Sequence, residues 1–317
     1  MQKVLVTGAN GFIGKALCSQ LEVFKYQCVY VVRSPITGEV EGGRSVAVID
    51  IKSNTKWKNV LSGVDVVIHL AGLAHVRKKY DKDLKEYREV NTFGTLNLAR
   101  QAIKAKVKRL IYVSSIGVNG DWSSEPFTEK DKVNPNTPYT ISKNEAEQGL
   151  RDLAKHSDIE IVIIRPPLVY GPNAPGNFKK LLSVIKKGVP LPLSGIKNKR
   201  SFISLGNLVN FIIICIQHSA ASNETFVIGD GEDVSTPMLV HRLGLAIGKP
   251  VTLFFSPRWL LNLLGVLIGK AGVVNKLSDS LQVDASKAHD LLGWTPVETM
   301  DDGLRIIANW STKHSEK

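Results

Sequence analysis

Five short apolar runs recur along the first half of the chain, "KVLVTG", "CVYVVR", "VDVVIHLAG", "RLIYVSS" and "IEIVIIRP", each set apart from the next by a longer stretch of polar and helical character. Runs that are apolar at nearly every position, rather than at alternate ones, suit strands covered on both faces. Parallel neighbours need long crossovers, and the intervals supply them. The expected fold class is therefore α/β, a doubly wound parallel sheet. Beyond Pro166 the pattern loosens into "RPPLVYGPNAPGN" and "KKGVPLPLSG". These loop-rich stretches suit a smaller C-terminal lobe. A later apolar run, "FIIICIQ" from Phe211 to Gln217, is expected to return to the first domain as a helix.

The turn after the first run reads "VTGANGFIG", with Gly8, Gly11 and Gly14 in line. Glycines there let the chain turn sharply and let backbone amides approach a pyrophosphate at the positive end of the next helix. The same spacing would also serve a tight strand-to-helix turn, but its place directly after the opening strand favours a dinucleotide. Further on, "PNTPYTISKNEAE" sets Tyr139 four residues ahead of Lys143, one helical turn away on the same face. A free phenol titrates near ~10, and a neighbouring ammonium favours its ionised form. Such a pair suits proton transfer; in isolation a packed aromatic and a solvated lysine would be the better reading.

Taken in order, these motifs resemble the short-chain dehydrogenase/reductase superfamily. Its extended branch, the NAD-dependent epimerase/dehydratase family of nucleotide-sugar enzymes, is the nearest likeness. Besides the glycine turn and the Tyr139/Lys143 pair, the likeness rests on Ser114 and Ser115, "HLAG", Asn91 in "VNTFGTLNLA", "RPPLVYGP" and "LGWTP", and it covers nearly the whole chain. The resemblance implies a catalytic set of Ser115, Tyr139 and Lys143, coupling hydride transfer at a sugar carbon to proton transfer through Tyr139. It places the cofactor against Gly8, Asn10, Gly11, Phe12, Ile13 and Gly14, against Asp50 and Ile51 near the adenine, and against Leu70, Ala71, Gly72, Asn91 and Pro166, with Lys143 on the nicotinamide ribose. The division it implies is residues 1–170 and about 205–230 for the dinucleotide, with a substrate-binding lobe of 171–204 and 231–317.

Dehydratases of the family follow the serine with an Asp-Glu pair, whereas this chain has Ile116 and Gly117, which move no proton. That leaves a 4-epimerase or a 4-keto reductase. At the end of the second run stand Arg33 and Ser34, with no carboxylate to bind both ribose hydroxyls. NADP(H) is thus expected over NAD(H), although Arg33 could instead stack on adenine. The balance tips toward a reductase, and the "SLQVD" and "LGW" stretch resembles enzymes of surface-polysaccharide biosynthesis, which implies a UDP-4-keto-6-deoxy-N-acetylhexosamine 4-reductase. The alternatives are a UDP-sugar 4-epimerase with tightly held NAD and, more distantly, a non-catalytic dinucleotide sensor. On the substrate side the family pattern points to His75, Ser115, Asn177 and Arg200, the last suited to a diphosphate by its planar fork. Gly206 and Asn207 stand where relatives carry an aspartate.

Three scattered cysteines, Cys18, Cys28 and Cys215, argue against a disulfide framework. With "MQKVLVTG" entering a strand at once, they favour a cytoplasmic protein. The formal net charge of +12 suits an anionic partner; a UDP-linked sugar is expected and no nucleic acid. A homodimer is expected as well. The segment "SPRWLLNLLGVLIGKAGVV" lacks charge between Arg258 and Lys270, too short a run to span a bilayer, which takes ~20 residues. A core helix of the second lobe is expected there, with weak association with a membrane surface, or a lipid-linked sugar, as the alternative.

Overall fold

A computed structural model describes residues 2–33, 45–74, 83–267 and 271–313. The chain opens with β1 (Lys3–Thr7), α1 (Phe12–Val23), β2 (Gln27–Val32), β3 (Ser45–Val48) and β4 (Val66–His69). Then α2 (Leu84–Tyr87) runs through a π-helical segment, Arg88–Gly94, into α3 (Thr95–Lys104). β5 (Arg109–Val113), a 3-10 turn at Ile116–Val118, α4 (Pro138–Lys155) and β6 (Glu160–Arg165) follow. The remainder holds β7 (Leu168–Tyr170), α5 (Asn177–Lys186), β8 (Arg200–Ser204), α6 (Leu205–Gln217), β9 (Thr225–Val227), β10 (Asp233–Val234), α7 (Thr236–Ala246), α8 (Arg258–Leu267), α9 (Ala271–Ser278), α10 (Ser286–Leu292) and α11 (Met300–Lys313).

Seven strands form one parallel sheet in the order β3-β2-β1-β4-β5-β6-β9. Strand order reverses between β1 and β4, which opens a crevice at the carboxyl ends of those strands. All five expected runs lie in this sheet. Their unbroken apolar character follows from its position between two helical layers. Successive side chains of a strand point to opposite faces, so Val4 and Val6 join one core with Leu17 of α1, Phe211 and Ile212 of α6 and Ala288 of α10. Leu5 joins the other, with Leu98 of α3, Leu150 of α4 and Trp57.

A smaller sheet, β10-β8-β7, builds the second lobe. Its core gathers Tyr170, Phe178, Phe202, Leu243 and Ile307. β7, which precedes the division expected after residue 170, hydrogen-bonds β8 in this second sheet. A part-buried polar knot ties the two sheets together. Asp230 accepts hydrogen bonds from the Tyr170 hydroxyl (2.7 Å), the Ser204 amide (2.9 Å) and Asn207 Nδ2 (2.7 Å). Asn207 Oδ1 in turn accepts from the amides of Val297 (2.8 Å) and Glu298 (3.0 Å).

Helix α8 departs from the expected core helix. Leu261 is buried in the lobe, but Trp259, Leu263, Val266 and Leu267 are exposed. Among the described side chains of this helix, apolar residues thus stand on the exposed side as well as on the buried one. Among the described residues, no helix is long and apolar enough to cross a membrane.

Candidate active site

Gly8 follows β1 with φ +71°, and its amide donates to the Val31 carbonyl at 3.0 Å. A Cβ on Gly14 would stand 2.1 Å from the Gly8 carbonyl oxygen. That contact forbids any side chain and lets the turn close on itself. Helix α1 starts at Phe12 with Gly11 as its N-cap, so no capping side chain covers its first amides, and its first turn carries no acid. Amides presented this way at the positive end of a helix fit the pyrophosphate of a dinucleotide. The Leu70–Gly72 stretch closes the far side: a Cβ on Gly8 would meet the Ala71 amide nitrogen at 3.0 Å.

Asn91 sits fully buried in the π-helical segment, a feature that often marks functional positions. Its Oδ1 accepts from the Leu73 amide (2.7 Å), while Nδ2 donates to the Leu73 carbonyl (3.1 Å) and to Ser142 Oγ (3.0 Å). One side chain thus fastens the loop after β4 to α4. Ion pairing of Arg88 with Glu145 and a Thr92 hydroxyl bond to the Ser142 carbonyl (2.9 Å) zip the same two helices together.

Helix α4 begins where Thr137 and Thr140 cap each other reciprocally and Pro138 takes the first helical position. Tyr139 therefore lies in the first turn, where the helix dipole favours negative charge. One turn on, Lys143 is buried; its Nζ donates to the Val113 carbonyl at 2.9 Å, lies 4.5 Å from the centre of the Tyr112 ring and 6.0 Å from that of Tyr139. A Cβ on Gly72 would come within 3.4 Å of that nitrogen. Ser115 caps the 3-10 turn, accepting from the Gly117 amide at 3.2 Å, and its hydroxyl neighbours that of Tyr139, close enough to favour the phenol's ionised form. The Pro166 carbonyl accepts from the Ile116 amide at 3.0 Å. Ser115, Tyr139, Lys143, Asn91 and the Leu70–Gly72 loop thus meet at the carboxyl ends of β4 and β5, beside the glycine turn.

The electrostatics differ from the simple picture of an ammonium lowering a phenol. Burial pushes Tyr139 up to about 12, with the neighbouring Ser115 hydroxyl acting against it. Burial also pulls Lys143 down to about 8, and the Glu147 carboxylate opposes that fall. The cation is 6.0 Å from the Tyr139 ring centre and already shared with a carbonyl, so desolvation dominates both groups in the protein alone.

Some contributors were not read from the sequence. Glu147, wholly buried, chelates Arg165, whose Nη1 also donates to Asn119 Oδ1 at 2.9 Å. Its place four residues after Lys143 was the available signal. His69 lies below the site, stacked on Tyr112 at 5.7 Å, with Nδ1 2.7 Å from Thr7 Oγ1 and Nε2 2.9 Å from Thr95 Oγ1. Burial, and then the charge of Lys143, hold it down at about 3, so it is neutral.

The remaining expected residues are spread more widely. Arg33 is exposed at the end of β2, Asn10 is exposed in the glycine turn, and Phe12 and Ile13 open α1. Asp50 is exposed and pairs with Lys52 at 3.0 Å, whereas Ile51 is buried against Gly94. Arg200 is tied to the end of α9, its Nη1 donating to the carbonyls of Lys276 (3.0 Å) and Asp279 (2.9 Å). Asn177 is the first residue of α5. Ser34 and His75 lie outside the described residues.

The model of the NAD dependent epimerase/dehydratase family matches residues 4–229. Over 313 residues the chain is 42% identical to the UDP-glucose 4-epimerase of Vibrio cholerae, covering 97% of this chain and 94% of that one. It is 26% identical over 335 residues to the N-acetyl-alpha-D-glucosaminyl-diphospho-ditrans,octacis-undecaprenol 4-epimerase of Escherichia coli O157:H7, covering 99% of this chain and 96% of that one. Among solved structures, UDP-glucuronic acid 4-epimerase from Bacillus cereus in complex with NAD aligns with a TM-score of 0.80 at 25% identity, over 98% of this chain and 99% of that one.

Proposed function

The chain belongs to the NAD dependent epimerase/dehydratase family, and from that premise we propose that it is a UDP-hexose 4-epimerase working with NAD. The observation that carries the proposal is the meeting of Ser115, Tyr139 and Lys143 at the strand ends beside the glycine turn. Bound there, the dinucleotide would supply the ring that exchanges a hydride with sugar carbon 4. Tyr139 holds and moves the proton of the 4-hydroxyl, and Ser115 orients both oxygens through its hydroxyl. The Lys143 ammonium, kept dry beneath Gly72, binds ribose hydroxyls. Ile116 and Gly117 offer no acid or base for dehydration.

The Vibrio cholerae relative supports a UDP carrier and the 4-epimerase reading over the reductase that Arg33 first suggested. In this proposal Arg33 packs on the adenine and Asn177, Arg200 and the second lobe receive the nucleotide sugar, with a homodimer as the working unit. One observation still favours a 4-keto reductase using NADPH: no carboxylate follows Arg33 at the tip of β2. Purified protein with no added cofactor, given UDP-glucose or UDP-N-acetylglucosamine, should interconvert each with its 4-epimer and release NAD on denaturation. An undecaprenyl-diphosphate sugar belongs in the same panel, because one relative is named for it. Absence of any epimer, with stoichiometric oxidation of NADPH by a UDP-4-keto-6-deoxy sugar, would replace the epimerase with the reductase.

A further inference from the structure

We propose that the outer face of α8 and the Phe254–Phe255 corner form a docking surface for an anionic lipid bilayer, on which the protein lies without crossing it. Trp259 (67% exposed), Leu263 (49%), Val266 (65%) and Leu267 (72%) fall at helical spacings of four, three and one, so they share one stripe, and Leu261 on the opposite side is buried. A surface helix of a globular protein ordinarily turns its polar stripe outward. Here the outward stripe is apolar and includes a tryptophan, the side chain that settles at the level of lipid headgroups. Phe255, 73% exposed, continues the surface: its ring lies over Gly195, and the Leu191 amide bonds the Thr252 carbonyl at 3.0 Å, joining the 188–197 loop to the segment that leads into α8.

Charge selects the occupant. Residues 171–204 and 237–278, which contain this surface, carry twelve Lys and Arg and no Asp or Glu; of these, Arg242 is ion-paired with Glu232 and Asp301 and Arg200 is tied to backbone carbonyls, which leaves the other ten as the basic complement of the two segments. Lys187 and Lys197 flank the loop paired to the phenylalanines, and Lys276 is exposed on α9, which packs against α8. A second copy of this chain would bring like charges together around the apolar stripe. Anionic headgroups would neutralise them, and basic residues beside an inserted apolar face are what such a surface attracts. At ten residues, α8 is about 15 Å long and lies along the interface.

The inference does not depend on the proposed reaction, and its test measures binding alone. The full chain is sedimented with vesicles of phosphatidylcholine, or of phosphatidylcholine with a third phosphatidylglycerol, at low and high salt. Expected is binding at least ten-fold tighter to the anionic vesicles, weakening as salt rises. A triple variant, Trp259→Ser, Leu263→Ser and Leu267→Ser, should lose at least ten-fold while melting at an unchanged temperature, since all three side chains are exposed. Lys187→Glu with Lys197→Glu should remove much of the salt-sensitive part. Equal binding by the triple variant, or no preference for anionic vesicles, overturns the proposal. So does lipid-free self-association that the triple variant abolishes, which would assign the face to a second copy.

Discussion

Lys143 and Tyr139 were legible in the sequence because one helical turn sets both residues on the same side of α4, whatever lies elsewhere. His69 was not, because its role arises only when β1, β4 and α3 bring Thr7 and Thr95 to its two ring nitrogens. If Tyr139 carries the proton, Tyr139→Phe should cut turnover by about 100-fold or more, the usual scale for a lost acid-base group. NAD content on purification should stay near wild type; a variant that keeps turnover removes Tyr139 from the mechanism. His69 makes a prediction about pH. Its proton is bound in the unfolded chain below about 6.5 but in the folded protein only near about 3. Between those values the unfolded state holds more protons, so stability rises with pH and is lost on acidification. From pH 6.5 to 5 the loss attributable to this ring is about 2 kcal/mol. Urea midpoints at pH 7 and 5 should differ less in His69→Gln than in wild type, and an identical acid slope would clear His69 of the effect.

At the level of elements, the runs that became β1, β2, β4, β5 and β6 announced themselves because burial on both faces demands continuous apolar sequence. β3 ("SVAV") and β9 ("TFV") lie at the two edges of the sheet and are short, so they carried no comparable signal. The π-helical segment was equally silent, since its extra residue per turn serves the contacts of Asn91 rather than any local propensity. Two local rules can be checked directly. Thr137→Ala removes the side-chain half of a reciprocal cap at the turn holding Tyr139, and should cost about 1 kcal/mol in chemical denaturation. Gly14→Ala forces a methyl to within 2.1 Å of a backbone carbonyl unless the turn opens. Its bound NAD, measured after denaturing the purified protein, should fall at least ten-fold, and wild-type retention would show that the turn yields more easily than its geometry implies.

Across the whole molecule, the knot of Tyr170, Asp230, Asn207 and Ser204 joins the sheets where the chain moves between them. Asn207→Ala would leave the amides of Val297 and Glu298, the carbonyl of Glu298 and one oxygen of Asp230 without this partner, at about 1 kcal/mol for each hydrogen bond and so about 4 kcal/mol in all. The loss should appear as a lower urea midpoint for the entire transition; a separate early transition would mean that the lobes unfold independently. The traffic of the chain across that boundary has its own consequence. The chain leaves the large sheet for β7 and β8, comes back with α6 and β9, departs again at β10, and sends α10 home to pack under Trp294. Each half is stitched from pieces separated in the gene, so a protease nick in the exposed 186–190 stretch should yield two fragments that travel together on a sizing column and part only in denaturant.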